Sequence, residues 1–248
     1  MKVKLFNIEI DAISMRQTLD IVEDAVANDK HIHHTVVNAG KIVLMQEDKE
    51  LEKSVNEADL INADGQAVVW ASKILGSPLP ERVSGIDLME ELVKYSFEKG
   101  YRCYFLGAEE DVLSHLITLY KEKYSDNVIA GYRNGYFKKS DEKRIAKDIS
   151  QSNANILFVA ITSPKKEIFL NTYKKELKNI NFIMGVGGSF DVIAGKVNRA
   201  PKWMQDFGFE WLYRVIQEPR RMFMRYLVGN TKFIYLVLKE CFLLNRKI

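Results

Sequence analysis

Residues 181–221 read NFIMGVGGSFDVIAGKVNRAPKWMQDFGFEWLYRVIQEPRR, and the first eleven of them set the fold class. The apolar run 181–184 predicts a short strand. Gly185, Gly187 and Gly188 then permit a tight backbone turn, with Ser189 placed to cap a helix from Phe190 onward. A strand that turns through glycines into a helix presents unpaired backbone N–H groups, a geometry suited to an anion. Most glycine pairs are only turns, so the loop by itself does not name a ligand. The loop leads into an aromatic segment dense in arginine, and that pairing points to a phosphorylated substrate.

Working outward, apolar β-branched runs at 34–37, 103–106, 127–130, 156–161 and 182–184 predict short buried strands, and the LINA of residues 60–63 reads the same way. Helical patterns fill the intervals: 14–28, 41–56, 66–75, 88–99, 112–124, 140–151 and 165–177. Such alternation specifies an α/β fold, a mostly parallel Rossmann-like sheet with helices on both faces. Ligands in such folds bind beyond the carboxyl ends of the strands, where Asn38, Asp64, Gly107, Thr162 and the 185–188 turn would gather. After Pro201 the pattern changes to two or three short helices, expected to break near Gly208, Pro219 and Gly229. We therefore read an α/β domain over 1–195 and a helical C-terminal appendage over 196–248.

At 248 residues the chain buries one sizeable core. Its net charge of +3 is unevenly spread: 196–248 holds eleven Lys/Arg against four Asp/Glu, and the rest holds 25 against 29. A basic, aromatic tail suits phosphate, nucleic acid or an anionic membrane surface, and charge alone does not choose among them. Cys103 and Cys241 stand far apart, so no disulfide framework is expected. The start MKVKLFNIEI carries no apolar stretch of signal-peptide length, and no uncharged run near the end is long enough to span a bilayer. The expected location is the cytoplasm.

Three motifs carry the chemistry. NADG, 62–65, places Asp64 at a strand end; for an unspecified Asp, capping the next helix is the plain reading. Arg82, Arg214, Arg220, Arg221 and Arg225 are the cations that could hold a phosphorylated substrate; no Asp-x-Asp pair exists to hold a metal, and Glu9-x-Asp11 lies too early in the chain. On one continuous helix Arg214, Arg221 and Arg225 would share a face, although Pro219 stands between them. His31, His33 and His34 invite a metal reading, but no third ligand stands at a recognised spacing, and solvated strand-edge histidines are expected.

The block 185–221, with NADG at 62–65 and LPERVSGID at 79–87, resembles the WecG/TagA/CpsF glycosyltransferase family, block for block from Phe6 to about Tyr226. That resemblance implies an inverting transfer of an N-acetylmannosamine-like sugar from a UDP-sugar to an undecaprenyl-diphosphate-linked N-acetylglucosamine acceptor, in teichoic acid, capsule or exopolysaccharide synthesis. It implies Asp64 as general base, Asn38 beside it, and Arg214 and Arg221 completing the site. It also implicates Asp191 and Tyr136 near the nucleotide. Met224 stands where a further arginine is expected, with Arg225 as its substitute; Lys166 replaces a glutamine that touches substrate, and Val36 replaces a threonine. The reading calls for no cofactor, metal or nucleic acid. It places the protein on the inner face of a bacterial cell membrane and allows a homo-oligomer.

The same fold and reaction with a different UDP-hexose donor is the nearest alternative, and two other classes compete. A dinucleotide-dependent oxidoreductase shares the alternation and the glycines, but Gly185-x-Gly187-Gly188 lacks the Gly-x-Gly-x-x-Gly spacing and comes late in the domain. A non-enzymatic membrane adaptor explains the tail and leaves the polar residues at the strand ends without a purpose.

Overall fold

The structure is a computed structural model describing residues 1–245; the side chains of Arg221, Leu244 and Asn245 lie outside the described residues. In chain order the elements are β1 Lys2–Leu5, β2 Ile8–Asp11, α1 Met15–Ala27, β3 Ile32–Val37, α2 Ala39–Glu47, α3 Lys49–Asn56, β4 Leu60–Ala63, α4 Gln66–Ile74 and α5 Gly85–Lys99. Next come β5 Cys103–Gly107, α6 Glu110–Lys123, β6 Ile129–Arg133, α7 Glu142–Ser150, β7 Ile156–Ala160, α8 Lys165–Thr172, β8 Phe182–Gly185 and α9 Ser189–Ile193. The chain finishes with α10 Lys202–Asp206, α11 Glu210–Gln217 and α12 Pro219–Asn245.

Six strands form a parallel sheet in the order β4-β3-β8-β7-β5-β6, and β1 and β2 make a separate antiparallel hairpin. The hairpin lies beside the β4 edge, where Asp11 accepts a hydrogen bond from the Ile61 N–H at 2.9 Å. Side chains alternate between the two faces, as a period of two requires. Cys103, Phe105, Ile156, Phe158, Phe182 and Met184 enter the cluster under α5, α6 and α9. Tyr104, Leu106, Leu157, Val159 and Ile183 enter the one under α7 and α8. A third cluster joins the hairpin, α2, α3 and α4 to Phe233 and Val237 of α12.

Several expectations are corrected. The strand expected at 127–130 begins at Ile129, because Ser125 Oγ accepts from the Asn127 N–H and winds Asp126–Val128 into a 3-10 turn. The helix expected at 41–56 is two helices, split where Asp48 leaves helical geometry and caps α3 through the Leu51 N–H. The one expected at 165–177 stops at Thr172. Ser189 is not a cap: Gly188 holds that position, and Ser189 Oγ donates to the Val186 carbonyl at 2.7 Å.

The appendage breaks at Gly208 and at Glu218, but not at Gly229, through which α12 runs unbroken. A helix-interior glycine costs about 1 kcal/mol. Burying Met222, Phe233 and Val237 outweighs that, since each such side chain contributes roughly 1.5–3 kcal/mol. Pro219 opens α12 at its first position, where its missing N–H costs nothing. Among the described residues no helix is long and apolar enough to cross a membrane.

The histidines are the largest correction. β3 is an interior strand between β4 and β8, so His33 and His34 are buried instead of lining an edge. His34 stacks on Phe182 and its Nε2 lies 2.9 Å from Asn62 Oδ1. Burial pushes His33 down to about 4 and His34 to about 3, so both are neutral core residues.

Candidate active site

Strand register builds the centre of the site. Val37 pairs with Ala63, so the next residues, Asn38 and Asp64, emerge side by side from adjacent strands. Asn38 caps α2, its Oδ1 accepting from the Lys41 N–H at 2.9 Å. Asp64 does not cap α4; Gly65 is the cap position and makes no side-chain cap bond. A Cβ on Gly65 would come within 3.3 Å of Asn38 Cβ, a tight contact that a side chain there could make only if Asn38 gave way by a few tenths of an ångström. Asp64 is therefore a strand-end carboxylate that the helix beside it does not use.

The chain returns to this point after α4. The Val83 N–H donates to the Ala63 carbonyl, which brings Arg82 beside Asp64 and sets Gly85 under it, 3.7 Å from Asp64 Oδ2 to an ideal Cβ. Asp64 is half-buried, and desolvation pushes its carboxyl above the ordinary Asp value. Arg82 pulls it down, Glu210 adds to the rise, and Arg214 and a Gly85 backbone hydrogen bond pull it down again. A carboxylate held at raised proton affinity between two arginines has the character of a general base.

A second group lies one strand away. Glu167, at the start of α8, points Oε1 at both Lys41 Nζ and Lys166 Nζ, each 2.7 Å distant, and all three side chains are buried. Lys41 also donates to the Val36 carbonyl at 2.5 Å. Burial drives the Glu167 carboxyl up, but the two ammoniums outweigh it and hold it well below the usual range. Burial and Lys41 push Lys166 below the ordinary lysine value, and Arg225 adds to this. The Lys166 stem lies against Gly185, where a Cβ would meet its Cδ at 2.8 Å. Two cations thus share one carboxylate directly behind the glycine turn.

Tyr136 stands at the other side of the sheet, after β6. Its hydroxyl donates to Glu109 at 3.2 Å, Glu109 pairs with Lys196, and Asp191 bears electrostatically on both Tyr136 and Lys196. At about 4.8 Å per strand, β4, which ends beside Asp64, and β6, which leads to Tyr136, stand roughly 24 Å apart. Asp64 and Tyr136 thus stand toward opposite sides of the carboxyl end of the sheet, with Gly185, Gly187 and Gly188 after β8 between them. Gly187 sits at φ +56, a conformation that favours glycine.

The expected arginines divide. Arg82 and Arg214 face Asp64, Arg225 bears on Lys166, and Arg220 is exposed at the start of α12. Arg214 and Arg225 do not share a helix, since Glu218 at φ −133 separates α11 from α12. The Arg221 side chain lies outside the described residues. Sequence reasoning assigned no role to Glu210, 2.6 Å from Arg82, nor to Asp87 and Arg199, which form a bidentate pair at 2.6 and 2.7 Å. Asp87 sits inside the 79–87 motif and was the one visible signal; the pairings join residues more than a hundred positions apart.

Comparison with known proteins adds a family and relatives. The Glycosyl transferase WecG/TagA/CpsF family matches residues 3–247. An N-acetylglucosaminyldiphosphoundecaprenol N-acetyl-beta-D-mannosaminyltransferase of Bacillus spizizenii is 36% identical over 189 residues, covering 76% of this chain and 72% of that protein. A protein of the same name from Bacillus subtilis strain 168 is 34% identical over 193 residues, 78% of this chain and 73% of its own length.

Proposed function

The chain belongs to the WecG/TagA/CpsF family of glycosyltransferases, and from that premise we propose that it moves an N-acetylmannosamine-like sugar from UDP onto N-acetylglucosamine carried by undecaprenyl diphosphate. The observation that carries the reading is Asp64: half-buried, raised in proton affinity, beside Asn38 and faced by Arg82 and Arg214. Asp64 takes the proton from the acceptor hydroxyl as its oxygen attacks the anomeric carbon. The bond to UDP breaks on the opposite face, and the sugar is inverted. UDP leaves as an anion, so its departure needs positive charge more than a proton.

That charge falls to Arg214 and Arg221, with Arg220 and Arg225 beside them. Lys166 and Lys41 extend it behind the glycine turn, and Lys166 then acts on the donor through its field. The nucleotide lies along the crevice toward Asp191 and Tyr136. The transfer needs no divalent cation in this reading.

The appendage of 196–248 completes the site and carries the protein to the inner leaflet, where cell-surface polysaccharide is assembled. Its support is a stripe of exposed side chains on α12: Phe223, Leu227, Ile234 and Leu238 recur at four, seven and four residues and share a face about a quarter-turn from the buried Phe233 and Val237. Basic residues beside an anionic surface add roughly 1 kcal/mol each.

The test is UDP release from a panel of UDP-sugars with a polyprenyl-diphosphate N-acetylglucosamine acceptor, with and without EDTA. Release with UDP-N-acetylmannosamine, unchanged in EDTA, is expected. Release with none of the panel overturns the donor assignment, and loss in EDTA restored by Mn²⁺ overturns the replacement of metal by arginine.

A further inference from the structure

We propose that Glu210 is a positioning residue for the transfer: reaching in from the appendage, it holds Arg82 against Asp64, so that base and cation are in register only when the appendage is docked. The inference rests on the reading of Asp64 as base. Arg82 and Glu210 are 128 residues apart and belong to different parts of the molecule, one to the loop ahead of α5 and the other to the first turn of α11. Their contact is short, 2.6 Å, and the side chains are 11% and 30% exposed, so the pair is screened less than a surface pair. One guanidinium N–H is spent on Glu210, which leaves other donors of a rigid fork to face the site.

The position of Glu210 is itself fixed. Gly208, at φ +69, lies against α4, where a Cβ would come within 2.9 Å of the Trp70 ring and 3.0 Å of Gln66 Cβ. Only glycine makes that turn, and α11 starts two residues later with Glu210 aimed at Arg82. A plain tether would not need this placement, because Lys232 already ties α12 to Glu47 far from the strand ends.

The charges bearing on Asp64 are Arg82, Arg214 and Glu210, with the Gly85 backbone N–H. Glu210 is the negative member. Removing it leaves Arg82 unneutralised and lowers the proton affinity of Asp64, so the acid limb of kcat moves to lower pH while kcat at neutral pH falls through misplacement of Arg82. A mere structural contact would lower stability without moving that limb.

The experiment measures kcat and KM across pH for the full chain and for Glu210→Gln, Glu210→Asp and Lys232→Gln, using a short-chain polyprenyl-diphosphate N-acetylglucosamine. Glu210→Gln should lose roughly 10-fold to 100-fold in kcat, the scale of a misplacement of about 1 Å. Its KM for donor should change far less, and its acid limb should shift downward. Glu210→Asp should recover most of kcat, and Lys232→Gln should match the parent. Normal kcat with an unmoved limb in Glu210→Gln overturns the proposal. So does faster turnover, which would make Glu210 an occluding carboxylate that competes with phosphate for Arg82. Should Glu210→Gln fail to fold, the limb and kcat of Glu210→Ala decide by the same outcomes. Asp64→Asn in the same assay separates the two claims: turnover retained there sinks the base, whereas turnover lost there with Glu210→Gln normal sinks only Glu210.

Discussion

Strand β7 buries all five of its residues between two helical layers, whereas α11, with five apolar or aromatic residues among eight, buries none. The same contrast runs through the whole molecule. In the body, clusters close over Phe105, Phe158, Phe182 and Phe190, each fully buried. In the appendage one row of α12 is seated on α2 through Phe233 and Val237, and a neighbouring row faces outward. The body buries most of its large apolar side chains in its own clusters. The appendage buries Met222, Phe233 and Val237 and leaves Phe223, Leu227, Ile234 and Leu238 exposed.

The comparison is broken most severely by ending the chain at Gly195. Such a protein should keep a cooperative melt, since two of the three clusters draw nothing from the appendage beyond that point. It should lose turnover on a soluble acceptor and lose binding to anionic vesicles, because Glu210, Arg214 and Arg221 go with it. Vesicle binding and normal turnover in the shortened chain would show the appendage to be incidental. A chain that no longer melts cooperatively would show that the body needs Phe233 and Val237.

Within the body, Glu167→Gln should cost about 3–5 kcal/mol in urea unfolding, as it leaves two buried ammoniums without their carboxylate. An unchanged midpoint would mean that the Glu167 carboxylate does not hold these two buried side chains in place. Next in size, Asp64→Asn should lower kcat by about 10²-fold or more, about 2.7 kcal/mol of barrier, with UDP affinity retained in calorimetry. Near-normal kcat would remove Asp64 from the chemistry.

A gentler probe is acid. His33 and His34 bind protons in the unfolded chain near 6.5 but resist them in the fold, at about 4 and about 3. Their contribution to stability is full above about 6.5 and is lost as pH falls toward 4, where the unfolded state binds more protons. The melting temperature should therefore drop over this window, and His34→Gln should flatten the slope. A slope equal to the parent's would place the acid sensitivity elsewhere. Smallest of all, Leu227→Glu on the outward row of α12 should change stability by no more than about 0.5 kcal/mol while weakening vesicle binding. A large loss of stability would mean that this row is covered by protein.

Reading the chain locally was enough for most of the body. Alternation of short apolar runs with helical spacing determined a parallel α/β sheet, and in such a sheet polar residues just past the strands collect at one edge, so the pattern alone sets Asn38 and Asp64 near each other, as the register does. Those signals are short-range: a strand or a helix declares itself within ten or fifteen residues through the period of its buried face. The order of the strands is a different kind of fact. His31, His33 and His34 look like an exposed edge in sequence, and only the placement of β3 between β4 and β8 buries the last two. Gly229 looks like a break, and only the seating of α12 on α2 keeps the helix whole. Glu210 looks like one more solvated acid on a helix, and only the approach of two loops 128 residues apart gives it Arg82. Each of these depends on which surfaces meet after folding, and no local period carries that information.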